Sequence, residues 1–265
     1  MVLHWEQHGS GQSLRRLLMI NGLGSPMVSY EQGFIDEFVQ RGFTVIRFDN
    51  RDMGHSPRFP DGYALSDMVA DTVGVLDAAG WPSAHVFGQS MGGMIAQQLT
   101  VEAPDRVESL TSLMSTTGNS DFGRSTKAAR AALLTTPPTE PDGWMAHRIE
   151  TEKIWCSPDY WDPAWVEAKA RAMLAHGIDV AGIARQYRAI VAAGNRDEAL
   201  AAIKTPTLVM HGSADTLITP SGGQHTADVI AGARYVEIEG MGHDLPPALW
   251  ARLADEVDTF TACLG

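Results

Sequence analysis

The chain has 265 residues, of which 44% are apolar and 20% are charged, a balance typical of a water-soluble globular protein with a sizeable core. No apolar run approaches the roughly 18 residues that a membrane-spanning helix needs. The net charge of −12 disfavours binding to nucleic acid or to an anionic membrane surface. The composition therefore predicts neither a nucleic-acid partner nor a membrane partner, and it leaves the oligomeric state open.

The cysteines and the first residues bear on the cellular compartment. Cys156 and Cys263 lie far apart and fit no metal-ligand spacing, so we expect both thiols to be reduced. The opening residues, MVLHWEQHGSG, lack the positively charged region and the apolar region of a secretory signal. We therefore predict a cytoplasmic protein.

Apolar runs of strand length alternate with segments of helical spacing along most of the chain, which is typical of a parallel sheet covered by helices on both faces. The predicted fold class is therefore α/β with a mostly parallel central sheet. In chain order, the predicted elements are a strand at 14–20, a helix at 30–40, a strand at 43–48, a helix at 65–79, a strand at 84–87, a helix at 91–102, strands at 107–114 and 207–210, a helix at 226–230, a strand at 234–238 and a helix at 248–261.

One interval, residues 118–204, interrupts this alternation. It contains no convincing strand but several helical patterns, among them STKAARAALL, PAWVEAKARAML and DVAGIARQYRAIVAA. We interpret it as a helical cap inserted into a core formed by 1–117 and 205–265. Its aromatic residues either fill the core of the insertion or line the roof of a substrate pocket. The candidates for the pocket roof are Trp144, Trp155, Trp161 and Tyr187.

The stretch HVFGQSMGG places a single serine, Ser90, between Gly88 and Gly92, after a predicted strand and before a predicted helix. In a strand–turn–helix of this kind the serine lies exposed at the apex of a sharp turn, and the glycines let neighbouring backbone pass close by. This context favours a nucleophilic serine. The alternative is a glycine-rich turn that serves only the packing of the strand and the helix.

A serine hydroxyl becomes an effective nucleophile only when a base takes its proton and an acid orients that base. Asp215 follows a predicted strand in TLVMHGSADTLITP, and His243 follows the last predicted strand in YVEIEGMGHDLPP. The chain order Ser90, Asp215, His243 is one in which serine hydrolases arrange a triad. Asp121 is a second candidate for the acid. His211 lies at the end of a predicted strand, and we expect it to have a structural role.

An oxyanion hole needs backbone N–H groups that point at the attacked carbonyl oxygen. Met91, directly after the serine, would supply one donor, and Leu23 in the loop NGLGSP would supply the other. This loop is not a dinucleotide fingerprint, because Met27 stands where the third glycine belongs. No pair of histidines and no mixed cluster of histidine and carboxylate has ligand spacing. We therefore predict no cofactor and no metal ion.

Three segments, VIRFDNRDMGHS, HVFGQSMGG and IEGMGHDLP, resemble those of the α/β-hydrolase-fold serine hydrolases with a helical cap, and in particular the branch that contains aclacinomycin methylesterase. The resemblance implies the α/β-hydrolase fold over nearly the whole chain. It also implies that Arg51 and Ser56 support the active site without taking part in the reaction. Two positions depart from the pattern of most members: Asp52 stands where they have glycine, and Asn21 where they have histidine.

Together, the motifs predict a carboxylic ester hydrolase that forms an acyl-enzyme on Ser90. The substrate would be an uncharged, moderately bulky small molecule carrying an ester or a lactone, for example a methyl ester. Two alternatives stay open: a cofactor-free perhydrolase or carbon–carbon bond hydrolase would use the same triad, and a ligand receptor could be built on the same scaffold. The presence of all three triad residues favours an enzyme over a receptor.

Overall fold

The computed structural model describes residues 3–11 and 13–264. Within them, seven strands form one sheet: β1 (Trp5–His8), β2 (Arg16–Ile20), β3 (Thr44–Phe48), β4 (Ala84–Gln89), β5 (Val107–Leu113), β6 (Thr207–Gly212) and β7 (Arg234–Ile238). Their order in the sheet is β1-β3-β2-β4-β5-β6-β7, and every neighbouring pair is parallel except β1 with β3. This mostly parallel sheet confirms the predicted fold class.

Ten α-helices accompany the strands in the described part of the chain. They are α1 (Gln32–Gln40), α2 (Leu65–Ala78), α3 (Met91–Glu102), α4 (Lys127–Leu133), α5 (Pro141–Trp155), α6 (Pro163–His176), α7 (Val180–Ala193), α8 (Asp197–Ala201), α9 (Ser221–Val229) and α10 (Trp250–Ala262). Residues 114–206, all of which the structure describes, contain no strand. Helices α4–α8, which lie there, are called the cap helices below. No helix among the described residues has both the length and the apolar character needed to cross a bilayer.

The sheet carries a hydrophobic core on each face because side chains alternate along its strands. In β2, Leu17 and Met19 pack into one core, and Leu18 and Ile20 pack into the other. The first core also contains side chains of α1 and α10, and the second contains side chains of α2 and α3. Full burial of each large apolar side chain contributes roughly 1.5–3 kcal/mol, so both helix layers are held firmly against the strands.

The structure differs from the sequence-based prediction at some elements. Strand β1 was not predicted, because its four residues, WEQH, are mostly polar and form the antiparallel edge of the sheet. Helix α9 begins at Ser221, whereas the prediction began at 226; its first turn contains Gly222 and Gly223, which carry no apolar side chain to extend the helical pattern. A Cβ atom on Gly223 would lie 2.4 Å from Nδ1 of His211, so close packing of the helix against β6 requires this glycine. Helix α5 was also missed.

The segment DNRDMGHS, residues 49–56, forms the loop after β3 and is held by its own side chains. Arg51 pairs with Asp71 at 2.6 Å, and its guanidinium lies 4.5 Å from the ring centroid of Phe59. The Ser56 hydroxyl donates a hydrogen bond to the carbonyl of Asp49 at 2.6 Å. These contacts are of the supporting kind that the family resemblance implies for Arg51 and Ser56.

Helix α7 docks on this loop through Asp52. The φ of Asp52 is 71°, in the region that favours glycine, which agrees with the glycine that most family members have there. Its buried carboxylate accepts two hydrogen bonds from Arg185 at 2.8 and 3.0 Å. Burial alone would raise the pKa of Asp52, but the bonds from Arg185 and from the N–H of Phe59 lower it. The ionised carboxylate therefore anchors α7 to the core.

We expect Arg185→Ala to lower the free energy of unfolding by about 3 kcal/mol, because the substitution leaves the carboxylate of Asp52 buried without its cationic partner. Urea unfolding measures this loss. Arg188→Ala is the matched control, since Arg188 is an exposed arginine on the same helix. An equal decrease in the free energy of unfolding in the two variants would show that the Arg185–Asp52 pair does not anchor α7.

Candidate active site

Ser90 lies at the sharp turn between β4 and α3, with φ 54° and ψ −122°. This left-handed conformation is strained for a residue with a side chain, and a hydrogen bond from the Ser90 N–H to the carbonyl of Leu113 at 2.9 Å holds it in place. A Cβ on Gly88 would lie 2.2 Å from the carbonyl oxygen of Gly92, and one on Gly92 would lie 2.0 Å from that of Ile20. Both glycines are therefore required for the backbone to turn here.

His243 lies in the loop after β7, and its imidazole reaches the serine. Its Nε2 is 2.9 Å from Oγ of Ser90. Its backbone N–H donates to the carbonyl of Trp155 at 2.6 Å, at the end of cap helix α5. The neighbouring Gly242 lies against the backbone of Cys156, since a Cβ there would be 2.4 Å from the carbonyl carbon of that cysteine. A cap helix thus fixes the backbone that presents the imidazole.

Asp215 lies in the turn after β6, on the far side of the imidazole from Ser90. Its Oδ2 is 2.7 Å from Nδ1 of His243, and its Oδ1 accepts hydrogen bonds from the N–H groups of Leu217 and Ile218 at 2.8 and 3.0 Å. Burial alone would raise the pKa of this carboxyl, but His243 and His211 lower it to about 2. The carboxylate is therefore ionised at neutral pH and oriented towards the imidazole.

The lowered pKa predicts a pH-dependent contribution of Asp215 to stability. Its pKa falls from 3.8 to about 2 on folding, so the contribution is present above pH 3.8 and is lost as the pH falls through about 2. At 1.36 kcal/mol per pKa unit, about 1 kcal/mol disappears between pH 5 and pH 3. Urea unfolding measures the free energy of unfolding of the wild type and of Asp215→Asn at both pH values. The difference between the two proteins should be smaller at pH 3 than at pH 5 by about 1 kcal/mol. The same difference in the free energy of unfolding at both pH values would contradict the lowered pKa of Asp215.

The structure places the second candidate acid, Asp121, away from the imidazole. Its side chain is 74% exposed and forms an ion pair with Arg124 at 3.0 Å. His211 belongs to β6, and its Nε2 lies 2.7 Å from the carbonyl oxygen of Ile218, in the turn that contains Asp215. Of the two candidate acids, therefore, the structure brings Asp215 to His243.

The loop NGLGSP lies directly against Ser90. A Cβ on Gly22 would be 3.3 Å from the Cβ of Ser90 and 3.8 Å from its Oγ, and the next residue, Leu23, lines the same cavity as Ser90 and Met91. The N–H groups of Leu23 and Met91 have no acceptor among the residues that the structure describes. Backbone N–H groups of this kind, in residues that line the cavity with the serine, can stabilise an oxyanion when they point at it.

Gln186, a buried residue of cap helix α7, supports this loop. Its Oε1 accepts a hydrogen bond from the N–H of Gly24 at 2.9 Å, and its Nε2 donates to the carbonyl of Arg51 at 2.9 Å. One side chain thus connects the loop beside the serine to the loop after β3. No local pattern in the sequence indicates this role, because Gln186 is far from both loops along the chain.

A cavity of about 270 Å³ opens in front of Ser90 and His243. Three of the four predicted roof residues line it, namely Trp144, Trp155 and Tyr187. Further apolar lining residues, which sequence reasoning had not singled out, are Met94, Ile183, Ile190, Leu217 and Ile218. The cavity walls are thus largely apolar, as in most small-molecule sites.

Trp161, the fourth predicted roof residue, is placed elsewhere. Among the described residues it packs with the cluster of Ala129, Trp155 and Cys156 and is not part of the cavity lining. It therefore fills the core of the cap helices, which was the alternative for these aromatic residues.

One wall of the cavity is charged. Arg148 and Glu152, one turn apart on α5, form an ion pair, and Lys169 lies on the same wall. Burial alone would raise the pKa of Glu152, but Arg148 and Lys169 lower it. The charge of Arg148 is therefore neutralised within the protein. Because these residues lie on cap helices far from the motifs, the sequence did not reveal them.

Comparison with known proteins assigns the family. A model of the alpha/beta hydrolase fold matches residues 15–246. Rhodomycin D methylesterase DauP of Streptomyces sp. (strain C5) is 30% identical, and the match covers 92% of this chain and 90% of DauP. DnrP of Streptomyces peucetius, also a rhodomycin D methylesterase, matches with the same identity and coverage. The chain belongs to the α/β-hydrolase family.

A solved structure agrees with this assignment. The enol-lactonase from Burkholderia xenovorans LB400 superimposes with a TM-score of 0.76 at 26% identity, and the match covers 99% of this chain and 95% of that chain. The methylesterase relatives are hydrolases, and this chain is an enzyme of the same class. The predicted resemblance to the methylesterase branch is thereby confirmed.

Proposed function

We propose that the chain is a carboxylic ester hydrolase in which Ser90 is the nucleophile, His243 the general base and acid, and Asp215 the residue that orients the imidazole. One observation carries the proposal: a continuous chain of hydrogen bonds, 2.9 Å from Ser90 to His243 and 2.7 Å from His243 to Asp215, ends at the wall of the cavity. These distances lie within the range over which a proton passes directly between side chains.

The reaction would proceed in two halves. Oγ of Ser90 attacks the ester carbonyl carbon while Nε2 of His243 takes the hydroxyl proton, and the N–H groups of Leu23 and Met91 bind the oxyanion. The imidazolium then protonates the departing alkoxide, which leaves as the alcohol. In the second half His243 takes a proton from water while the water oxygen attacks the acyl carbon. The bond from Oγ of Ser90 to that carbon then breaks, the imidazolium returns the proton to Oγ, and the acid leaves. Asp215 stays ionised and stabilises the imidazolium.

The cavity supports an uncharged ester or lactone of moderate size as the substrate. Trp144, Trp155 and Tyr187 offer broad apolar surfaces. Arg148 is already paired with Glu152, so it offers little attraction to a free carboxylate. The methylesterase relatives favour a methyl ester among the candidates, and the enol-lactonase favours a lactone.

A panel of substrates tests the proposal. Hydrolysis is measured on three classes of substrate: aryl esters of increasing acyl length, methyl esters of bulky acids, and lactones. The rates are compared with peracid formation from acetate and peroxide and with carbon–carbon cleavage of a coloured vinylogous diketone. We expect the esters or lactones to be turned over fastest, and a fluorophosphonate probe to label Ser90, located by peptide mass mapping. Faster peracid formation would show that the chain is a perhydrolase, and faster bleaching of the diketone would show that it is a carbon–carbon bond hydrolase.

The two candidate acids provide a matched pair of variants. We expect Asp215→Asn to lower kcat by about 10⁴-fold, because an amide at this position no longer favours the productive tautomer of His243. Asp121→Asn should retain wild-type kcat, since Asp121 is exposed and paired with Arg124. Steady-state hydrolysis of one aryl ester measures both variants. The reverse ranking would show that Asp121 is the acid.

A further inference from the structure

Three histidines from separate segments of the chain lie close together outside the cavity lining. His4 precedes β1, His55 lies in the loop after β3, and His176 is the last residue of α6. One ring nitrogen of each lies within 4.8 Å of those of the other two. None of these three described residues is part of the lining of the cavity beside Ser90. The cluster is therefore separate from the candidate active site.

The cluster has the donor set of a transition-metal site. Neutral imidazole nitrogen binds Zn²⁺, Co²⁺, Ni²⁺ and Cu²⁺ well, whereas Mg²⁺ and Ca²⁺ prefer oxygen. The ring centroids of His55 and His176 are 4.2 Å apart, those of His4 and His55 5.0 Å, and those of His4 and His176 6.1 Å. Zn–N bonds of about 2.0–2.1 Å at tetrahedral angles set the ligand nitrogens about 3.3 Å apart, so the rings must draw together on binding. His55 is exposed, so its ring can rotate to do so.

The buried carboxylate of Asp49 orients the imidazole of His176, one of the three histidines. Oδ2 of Asp49 lies 2.9 Å from Nε2 of His176. In the neutral tautomer that donates from Nε2 to this carboxylate, Nδ1 keeps its lone pair and can bind a metal ion. A carboxylate behind a histidine in this way fixes the tautomer and strengthens the histidine as a ligand.

The backbones of the other two ligands are held by the same loop. The N–H of His55 donates to Oδ2 of Asp49 at 2.9 Å, and the N–H of His4 donates to the Ser56 hydroxyl at 2.9 Å. The carbonyl of His4 in turn accepts from the N–H of Asp49 at 2.9 Å. All three histidines are thus connected to Asp49 or to the loop that follows it. Their backbones are therefore already ordered before a metal ion binds.

We propose that His4, His55 and His176 bind one divalent transition-metal ion, with Zn²⁺ as the expected ion, and that the ion links a cap helix to the core. His176 ends cap helix α6, whereas His4 and His55 belong to segments around β1 and β3. An ion held by all three would fix the C-terminal turn of α6 against the loop after β3. The exposed side of His55 leaves the remaining coordination position to water.

A titration of the metal-free protein tests the site. The chain is purified without a histidine tag and treated with a chelator, and Co²⁺ is added while its visible absorption is recorded, followed by competition with Zn²⁺. We expect one Co²⁺ per chain, displacement by Zn²⁺, and no displacement by Mg²⁺. His55→Ala should weaken Co²⁺ binding by about tenfold or more. This variant keeps the backbone N–H that bonds to Asp49, so it is expected to fold normally.

His225→Ala is the matched control. Nε2 of His225 also contacts a carboxylate, Asp197 at 3.0 Å, but His225 lies outside the cluster. This variant should bind Co²⁺ like the wild type. The site would be overturned if no Co²⁺ spectrum developed, or if His55→Ala and His4→Gln both bound Co²⁺ with wild-type affinity.

Hydrogen exchange tests the link between cap and core without measuring activity. Zn²⁺ should slow amide exchange in the last turn of α6 and raise the midpoint of thermal unfolding in the wild type, and should do neither in His55→Ala. Stoichiometric binding that left exchange in α6 unchanged would overturn the link. Neither outcome depends on the proposed ester hydrolysis.

Discussion

Ser90→Ala will lower kcat for ester hydrolysis by about 10⁶-fold, the loss expected when the nucleophile of a serine hydrolase is removed. The hydroxyl is the atom that would form the acyl-enzyme, and no other side chain lies between it and Nε2 of His243 at 2.9 Å. The variant should stay folded, because alanine experiences the same backbone strain at φ 54° as serine does. Steady-state kinetics and a thermal melt of the same preparation measure both effects.

Ser66→Ala is the control for this variant. Ser66 is an exposed serine in α2, and its replacement should change neither kcat nor labelling by a fluorophosphonate. Ser90→Ala should abolish labelling completely. If it retained more than a small fraction of the wild-type activity, or unfolded, the assignment of Ser90 as the nucleophile would lose its support.

Gly92→Ala will prevent the protein from folding. An added Cβ would lie 2.0 Å from the carbonyl oxygen of Ile20, inside the sheet, where the backbone of β2 cannot move aside without breaking its pairing with β3 and β4. Overlap with buried backbone on this scale exceeds the cost of ordinary overpacking, and we expect a loss of more than about 4 kcal/mol. The soluble yield and the thermal unfolding midpoint measure it.

Gly62→Ala is the matched control for Gly92→Ala. A Cβ on Gly62 would meet no atom within 4 Å, and the backbone there does not adopt a positive φ. This variant should express and unfold like the wild type. A soluble, fully active Gly92→Ala protein would contradict the geometry described for the turn at Ser90.

Features encoded by local spacing were predictable from the sequence. The serine between two glycines, the aspartate after one strand and the histidine after another each lie in a motif of a few consecutive residues. Their order along the chain then implied that they meet at one edge of a parallel sheet, because the carboxyl ends of such strands lie together. The structure places His243 within hydrogen-bonding distance of Ser90 on one side of its ring and of Asp215 on the other.

Features that depend on contacts between distant segments were not predictable. Trp161 and Trp155 lie close together in the sequence, yet only Trp155 lines the cavity, because the direction of each side chain depends on how the cap helices pack. His4 and His176 lie near each other only because β1 pairs with β3 and α6 ends beside the loop after it. Strand β1 had no apolar pattern from which this neighbourhood could be inferred.

The two hydrogen bonds of Gln186 mean that the cap helices cannot be exchanged as an independent module. Because Gly24 and Arg51 both bond to one amide of α7, a chimera with foreign helices in place of α4–α8 would keep its serine, histidine and aspartate but lose the support of the loop NGLGSP beside Ser90. Transplanting a new substrate pocket onto this scaffold therefore requires a glutamine, or an equivalent amide, at the matching turn of the incoming helix.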